Sequence, residues 1–133
     1  MKLIGGARLR DLGSSRHTED IDYLVHIPGE PLFIKNPGID LINAAAGNLF
    51  FQEIWKKELK NNEISINSLI ELKCYSLVQH CQNGHFGKAD NDEFDIKFLS
   101  RLAEFNVNFG IVKKHITAGQ LAEIVTFINK MKK

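Results

Sequence analysis

Short apolar runs separated by turn residues fill the first third of the chain, and from about residue 46 the apolar spacing lengthens to that of a helix. Lys2-Leu3-Ile4 reads as a very short strand, followed by a helical stretch from Ala7 to Leu12 that Gly13-Ser14-Ser15 breaks. Asp20 to Ile27 reads as a strand bounded by Pro28-Gly29, Leu32-Phe33-Ile34 as a second, and Ile39-Asp40-Leu41-Ile42 as a third beyond the turn Asn36-Pro37-Gly38. These strands predict a mixed or antiparallel meander.

The second part carries the longer period. Leu49, Phe50, Ile54 and Trp55 recur near the 3.6 spacing, with Glu53, Lys56, Lys57 and Glu58 on the wet side. Ile64-Ser65-Ile66 reads as a short alternating strand. Ser68 followed by Glu71 fits a capping box and predicts a helix over Leu69 to Gln82, with Leu69, Leu72, Tyr75 and Leu77 inward and Asn83-Gly84 ending it. A further helix is expected from Asp90 to Phe105 on a stripe of Phe94, Phe98, Leu99 and Leu102. Thr117 caps the last helix, which buries Leu121, Ile124, Val125 and Ile128. The fold class is therefore α/β (α+β): a small mixed sheet over 1–45 and a mainly helical part over 46–133, together one domain.

The polar positions of the strands carry the chemistry. Thirteen residues separate the pair Gly5-Gly6 from Asp20-Ile21-Asp22. Glycines after a strand let the backbone turn sharply and approach a ligand with no Cβ between, and a helix opening there points N–H groups at phosphate. The strand period sends Asp20 and Asp22 to one face and Ile21 to the other. Aspartate is disfavoured in strands, and two on one face repel each other unless a cation sits between them. A pair of hard oxygen donors suits Mg²⁺ carrying substrate phosphates.

Composition narrows the partners rather than the chemistry. The 133 residues carry a net charge of +1, so no global field recruits nucleic acid. A local strip is available in Lys113-Lys114, Lys130, Lys132 and Lys133. Cys74 and Cys81 lie two turns apart on one predicted helix, about 10 Å, too far for a disulfide. With no apolar run of membrane-spanning length and no signal-peptide pattern, a cytoplasmic protein with no membrane partner is expected. The histidines show no metal-ligand spacing: His80 and His85 flank a loop with Cys81, but the other ligands of a zinc site are missing. Trp55, with Phe50 and Phe51, reads as core.

The N-terminal third resembles the polymerase-β-type nucleotidyltransferase superfamily, whose signature is an apolar residue, Gly, Gly or Ser, a gap, and Asp-x-Asp. The string Gly5-Gly6-Ala7-Arg8-Leu9-Arg10, then Arg16-His17-Thr18-Glu19-Asp20-Ile21-Asp22, is similar to the branch of type IV abortive-infection toxin nucleotidyltransferases. The third acidic strand of that branch matches Gly38-Ile39-Asp40-Leu41-Ile42, its helical lysine matches Lys73, and the second half of its Arg-x-x-Lys-Asp-x-x-Asp element matches Asn91-Asp92-Glu93-Phe94-Asp95. The likeness runs from Lys2 to about Leu99. Asn91 stands where lysine is expected, with Lys88 as substitute, and His85 stands near the place of the arginine. The chain opens almost on the motif strand, where larger relatives have a preceding helix, so a minimal or shortened form is expected.

The resemblance implies transfer of NMP from an NTP to an RNA, protein or small-molecule hydroxyl. It implies two Mg²⁺ ions held by Asp20, Asp22 and Asp40, and a toxin's place beside an antitoxin protein. Asp40 would stand closest to the acceptor, as general base or as ligand. Gly5, Gly6, Arg8, Ser15, Arg16 and Lys73 would contact the nucleotide, with Arg10 left in solvent. Lys88, Asp92 and Asp95 would play a secondary part. The alternative is a module of the same fold that binds a nucleotide or partner without catalysis, which the altered Lys/Arg element favours.

Overall fold

The computed structural model describes residues 1–16 and 21–132. Among them are four strands and five helices, a mixed α+β arrangement. The chain divides into two compact units, Met1–Ser65 and Ile66–Lys133. The division falls later than the change of period at residue 46, because the first long helix belongs with the sheet.

In the first unit, β1 (Lys2–Leu3), β2 (Ile21–Val25), β3 (Phe33–Asn36) and β4 (Ile39–Asn43) form one sheet in the order β1-β2-β4-β3. The expected meander is half right. β3 and β4 are an antiparallel hairpin, pairing Asn36 with Ile39 across Pro37-Gly38. Proline and then glycine at φ +75° supply the two conformations that a type II turn asks for. But β4 also lies parallel to β2, and β1 is antiparallel to β2. Asn43 fastens that parallel pair: its buried amide accepts from the Ile27 N–H (2.9 Å) and donates to the carbonyls of Ile27 (2.8 Å) and Glu30 (3.0 Å).

Helix α1 (Gly5–Asp11) begins two residues before the predicted start. Helix α2 (Leu49–Lys57) begins at an Asn48 cap, whose side chain accepts from the Phe51 N–H (3.1 Å). Of the expected stripe, Phe50 and Ile54 are buried, joined by Phe51, while Leu49 is exposed and Trp55 half-buried. The strand expected at Ile64–Ile66 does not form. Ser65 instead gives its N–H and its hydroxyl to the buried carboxylate of Glu58, closing the loop after α2, and Ile66 opens the next helix.

The second unit comprises α3 (Ile66–Gln82), α4 (Phe86–Leu102), a 3₁₀ turn (Val112–Lys114) and α5 (Ala118–Lys130). The Ser68–Glu71 capping box is not made. Ser68 lies inside α3, and the Glu71 carboxylate accepts from the N–H groups of Ile111 (2.9 Å) and Val112 (2.6 Å). Those are orphan donors at the start of the 3₁₀ turn, and a buried anion answers them better than the open start of α3 would. The Thr117 cap does form, completed by Gln120.

Helix α4 starts four residues earlier than predicted, and its buried face differs from the apolar stripe. Phe94 and Leu102 are exposed, while Ala89, Asp92, Asp95, Ile96, Leu99 and Ser100 are buried. No helix among the described residues is long and apolar enough to cross a membrane.

Candidate functional site

Two groups of carboxylates come together, one in each unit. In the first, the parallel register sets Asp22 beside Asp40. Neighbours in register present their side chains to the same side of the sheet, with strands about 4.8 Å apart. The chain has placed two anions side by side where propensity opposes both. Both are half-buried. Lys35 of β3 lies directly across from Asp40 and brings a cation to the same face, a residue the motif reading missed. Its signal was its place one turn before an acidic strand.

Glycine completes the arrangement. The Ile4 N–H donates to the Asp22 carbonyl (2.8 Å), which holds the β1–α1 junction over β2. At the next residue the backbone takes φ +73°. A Cβ at Gly5 would overlap Asp22 Oδ2 and come within 3.0 Å of Asp22 Cβ and Cγ. Gly5 is thus required twice, by its conformation and by its closeness to a carboxylate.

Of the other expected contacts, Gly6 lies in the first turn of α1. Arg8 is buried and directs Nη2 to Glu63 Oε2 (3.5 Å), while its Nε has no hydrogen-bond partner among the described residues. Ser14, not Ser15, is buried there, and its Oγ accepts from the Arg16 N–H (3.3 Å). Ser15 and Arg10 are exposed, and Arg16 is half-buried. Asp20 lies outside the described residues, as do His17, Thr18 and Glu19. Among the described residues no three histidine, cysteine, aspartate or glutamate side chains gather as a metal site, so Asp22 and Asp40 supply two hard donors. That donor chemistry fits Mg²⁺.

The second group joins α3 to α4. Lys73, Ser76 and His80 follow i, i+3, i+7 and share a helix face, as do Asp92 and Asp95. Lys73 Nζ meets Asp95 Oδ2 at 2.9 Å and Asp92 Oδ1 at 3.9 Å. Asp92 Oδ2 also accepts from Ser76 Oγ (3.0 Å) and from His80 Nδ1 (2.7 Å). Burial pushes the Asp92 carboxyl above the ordinary carboxylate range, against the pull of Lys73, His80 and Ser76. Lys88 is exposed, and the cation that these acids meet is Lys73. Asp92 and Asp95 thus form a buried ion-pair cluster rather than a solvated acidic helix start. Ser76 and His80 were missed, although the 73–76–80 spacing was there to read.

Lys73, expected on the nucleotide phosphates, has its anion within its own helical hairpin. Neighbouring Cys74 is buried, and burial together with the nearby acids pushes its thiol well above the usual range, leaving it unreactive. No family model, curated protein or solved structure matches the chain.

Proposed function

We propose that this chain is a Mg²⁺-dependent nucleotidyltransferase similar to the toxin-like branch of the polymerase-β-type superfamily. The observation that carries the reading is the in-register pairing of Asp22 with Asp40, with Gly5 cleared of any side chain against the Asp22 carboxylate. A binding surface alone has no use for adjacent like charges on strands. A site for a phosphate-bound cation does.

In the reaction an acceptor hydroxyl attacks the α-phosphorus of an NTP. The new P–O bond forms in line with the bond to pyrophosphate, which leaves with its electron pair. Asp22 and Asp40, with Asp20, would hold the cation, which when bound supplies charge neutralisation at the phosphates. The Asp40 carboxylate would accept the hydroxyl proton or orient the hydroxyl. Buried Arg8, whose Nε has no hydrogen-bond partner among the described residues, is suited to a phosphate oxygen. The acceptor would be an RNA, a protein or a small molecule, and an antitoxin protein the natural partner.

Asp22→Asn and Asp40→Asn, each tested with α-labelled NTPs and a cell lysate, should lose label transfer by about 100-fold or more while keeping the fold. Full transfer by either variant would refute the assignment.

The second reading is a nucleotide- or partner-binding module without catalysis. It is favoured by Lys73, whose ammonium is already matched by Asp95. Calorimetry with each NTP separates the two. NTP affinity that Mg²⁺ raises supports the enzyme, and NTP affinity that Mg²⁺ leaves unchanged supports the module.

A further inference from the structure

Trp55 is the chain's one tryptophan. Its ring stacks on His26 with centroids 5.8 Å apart and planes 22° from parallel. The Lys2 ammonium stands 5.5 Å from the same ring and donates to the Asn61 carbonyl, so Trp55 is held before any ligand arrives. His26 is exposed and forms the outer ring of the stack. Beside it lies a groove of about 360 Å³, near the small end of the roughly 300–1,000 Å³ of ordinary ligand sites. Among the described residues that line it, His26, Pro28, Ala45, Gln52, Trp55 and Lys56, none is acidic.

The groove belongs to the same side of the sheet as the carboxylates. Lys2 pairs with Leu24, and Leu24 stands two residues from Asp22, so the strand alternation puts all three on one face. His26 follows β2 directly, one residue beyond its last, Val25.

We infer that this groove binds a nucleotide, its base stacked on His26 over Trp55, its base edge read by Gln52 and its phosphate met by Lys56. An aromatic ladder open at one end accepts any flat base. The Gln52 amide offers both a donor and an acceptor, as base edges require. The cationic, acid-free lining selects an anion over a neutral ring. The choice of a nucleotide rests on the proposed function, whereas the groove does not depend on catalysis. The ligand is either a free nucleotide or the terminal residue of a nucleic acid.

Trp55 fluorescence reads this out directly. Nucleoside monophosphates and a short single-stranded oligonucleotide, titrated separately without Mg²⁺, should quench it saturably. His26→Ala and Lys56→Glu should each weaken binding about tenfold or more, and Asp22→Asn should leave it unchanged. Tighter binding of the oligonucleotide assigns a nucleic-acid end, and equal binding assigns the free nucleotide. Absence of saturable quenching, indifference to His26→Ala, or equal competition by ribose 5-phosphate would overturn the site. Because the readout needs neither metal nor turnover, a loss of label transfer in Asp22→Asn alongside intact quenching would leave the two assignments separately judged.

Discussion

Two pairs of aspartates answer the same electrostatic problem in opposite ways. Asp92 and Asp95 are buried on α4 and are matched by Lys73, Ser76 and His80 of α3. Asp22 and Asp40 sit half-buried side by side in the sheet, with a glycine kept against one of them. A buried anion must be neutralised from within, because water cannot screen it. A half-open pair is reached by water, and Lys35 pairs with Asp40 across the hairpin. Asp92 and Asp95 are held by the fold's own groups, and Asp22 and Asp40 are the carboxylates proposed to take a ligand.

The largest effect should come from the buried pair. Asp95→Ala strands the Lys73 ammonium, whose side chain is only 14% exposed, and should cost about 3–5 kcal/mol in urea unfolding. Lys73→Ala should cost a similar amount and leave NTP affinity unchanged. A drop in NTP affinity with stability preserved would return Lys73 to the phosphates.

Gly5→Ala comes next, since it puts a Cβ against Asp22 at a backbone angle that only glycine holds without strain. A loss of about 1–3 kcal/mol is expected, together with loss of the rise in melting temperature that the proposed Mg²⁺ site should give the parent. Asp22→Asn should act in the other direction, raising stability by roughly 0.2–1 kcal/mol in metal-free buffer through relief of like-charge repulsion. If it destabilised the chain, the sheet pair would be structural and the contrast would collapse.

The smallest effect is a slope. The Asp92 carboxyl has a raised folded-state value, so over the window from the ordinary carboxylate range upward the folded chain binds more protons than the unfolded one. Its contribution to stability therefore grows as pH falls through that window and is lost as pH rises. Asp92→Asn should remove this component from the pH profile of the urea midpoint. An unaltered profile would show that Asp92 titrates as an ordinary surface acid.

The sheet and its acids were legible because each signal is local. Gly5 precedes a turn, Pro37-Gly38 joins a hairpin, and an aspartate inside an apolar strand is conspicuous by itself. What could not be read depended on partners from elsewhere in the chain. Phe94 and Leu102 looked like the buried face of α4, yet Asp92 and Asp95 take that face because α3 brings them a cation and two hydrogen-bond donors. Glu71 looked like half of a capping box until the amides of Ile111 and Val112 claimed it. Trp55 looked like core with Phe50 and Phe51, and it instead lines an open groove.

The Glu71 carboxylate also has a consequence for how the second unit acquires its shape. Its bonds to the amides of Ile111 and Val112 close a loop of about forty residues without a covalent link, and Asn67 seconds them by exchanging hydrogen bonds with the Asn108 backbone. The α3–α4 hairpin inside that loop is built from near neighbours in sequence and needs little chain entropy to form. The clasp must draw together distant points and rewards the chain only after the hairpin exists. Loop-closure entropy thus predicts a folding order for this unit, with the hairpin first and the clasp as the late step that holds it shut.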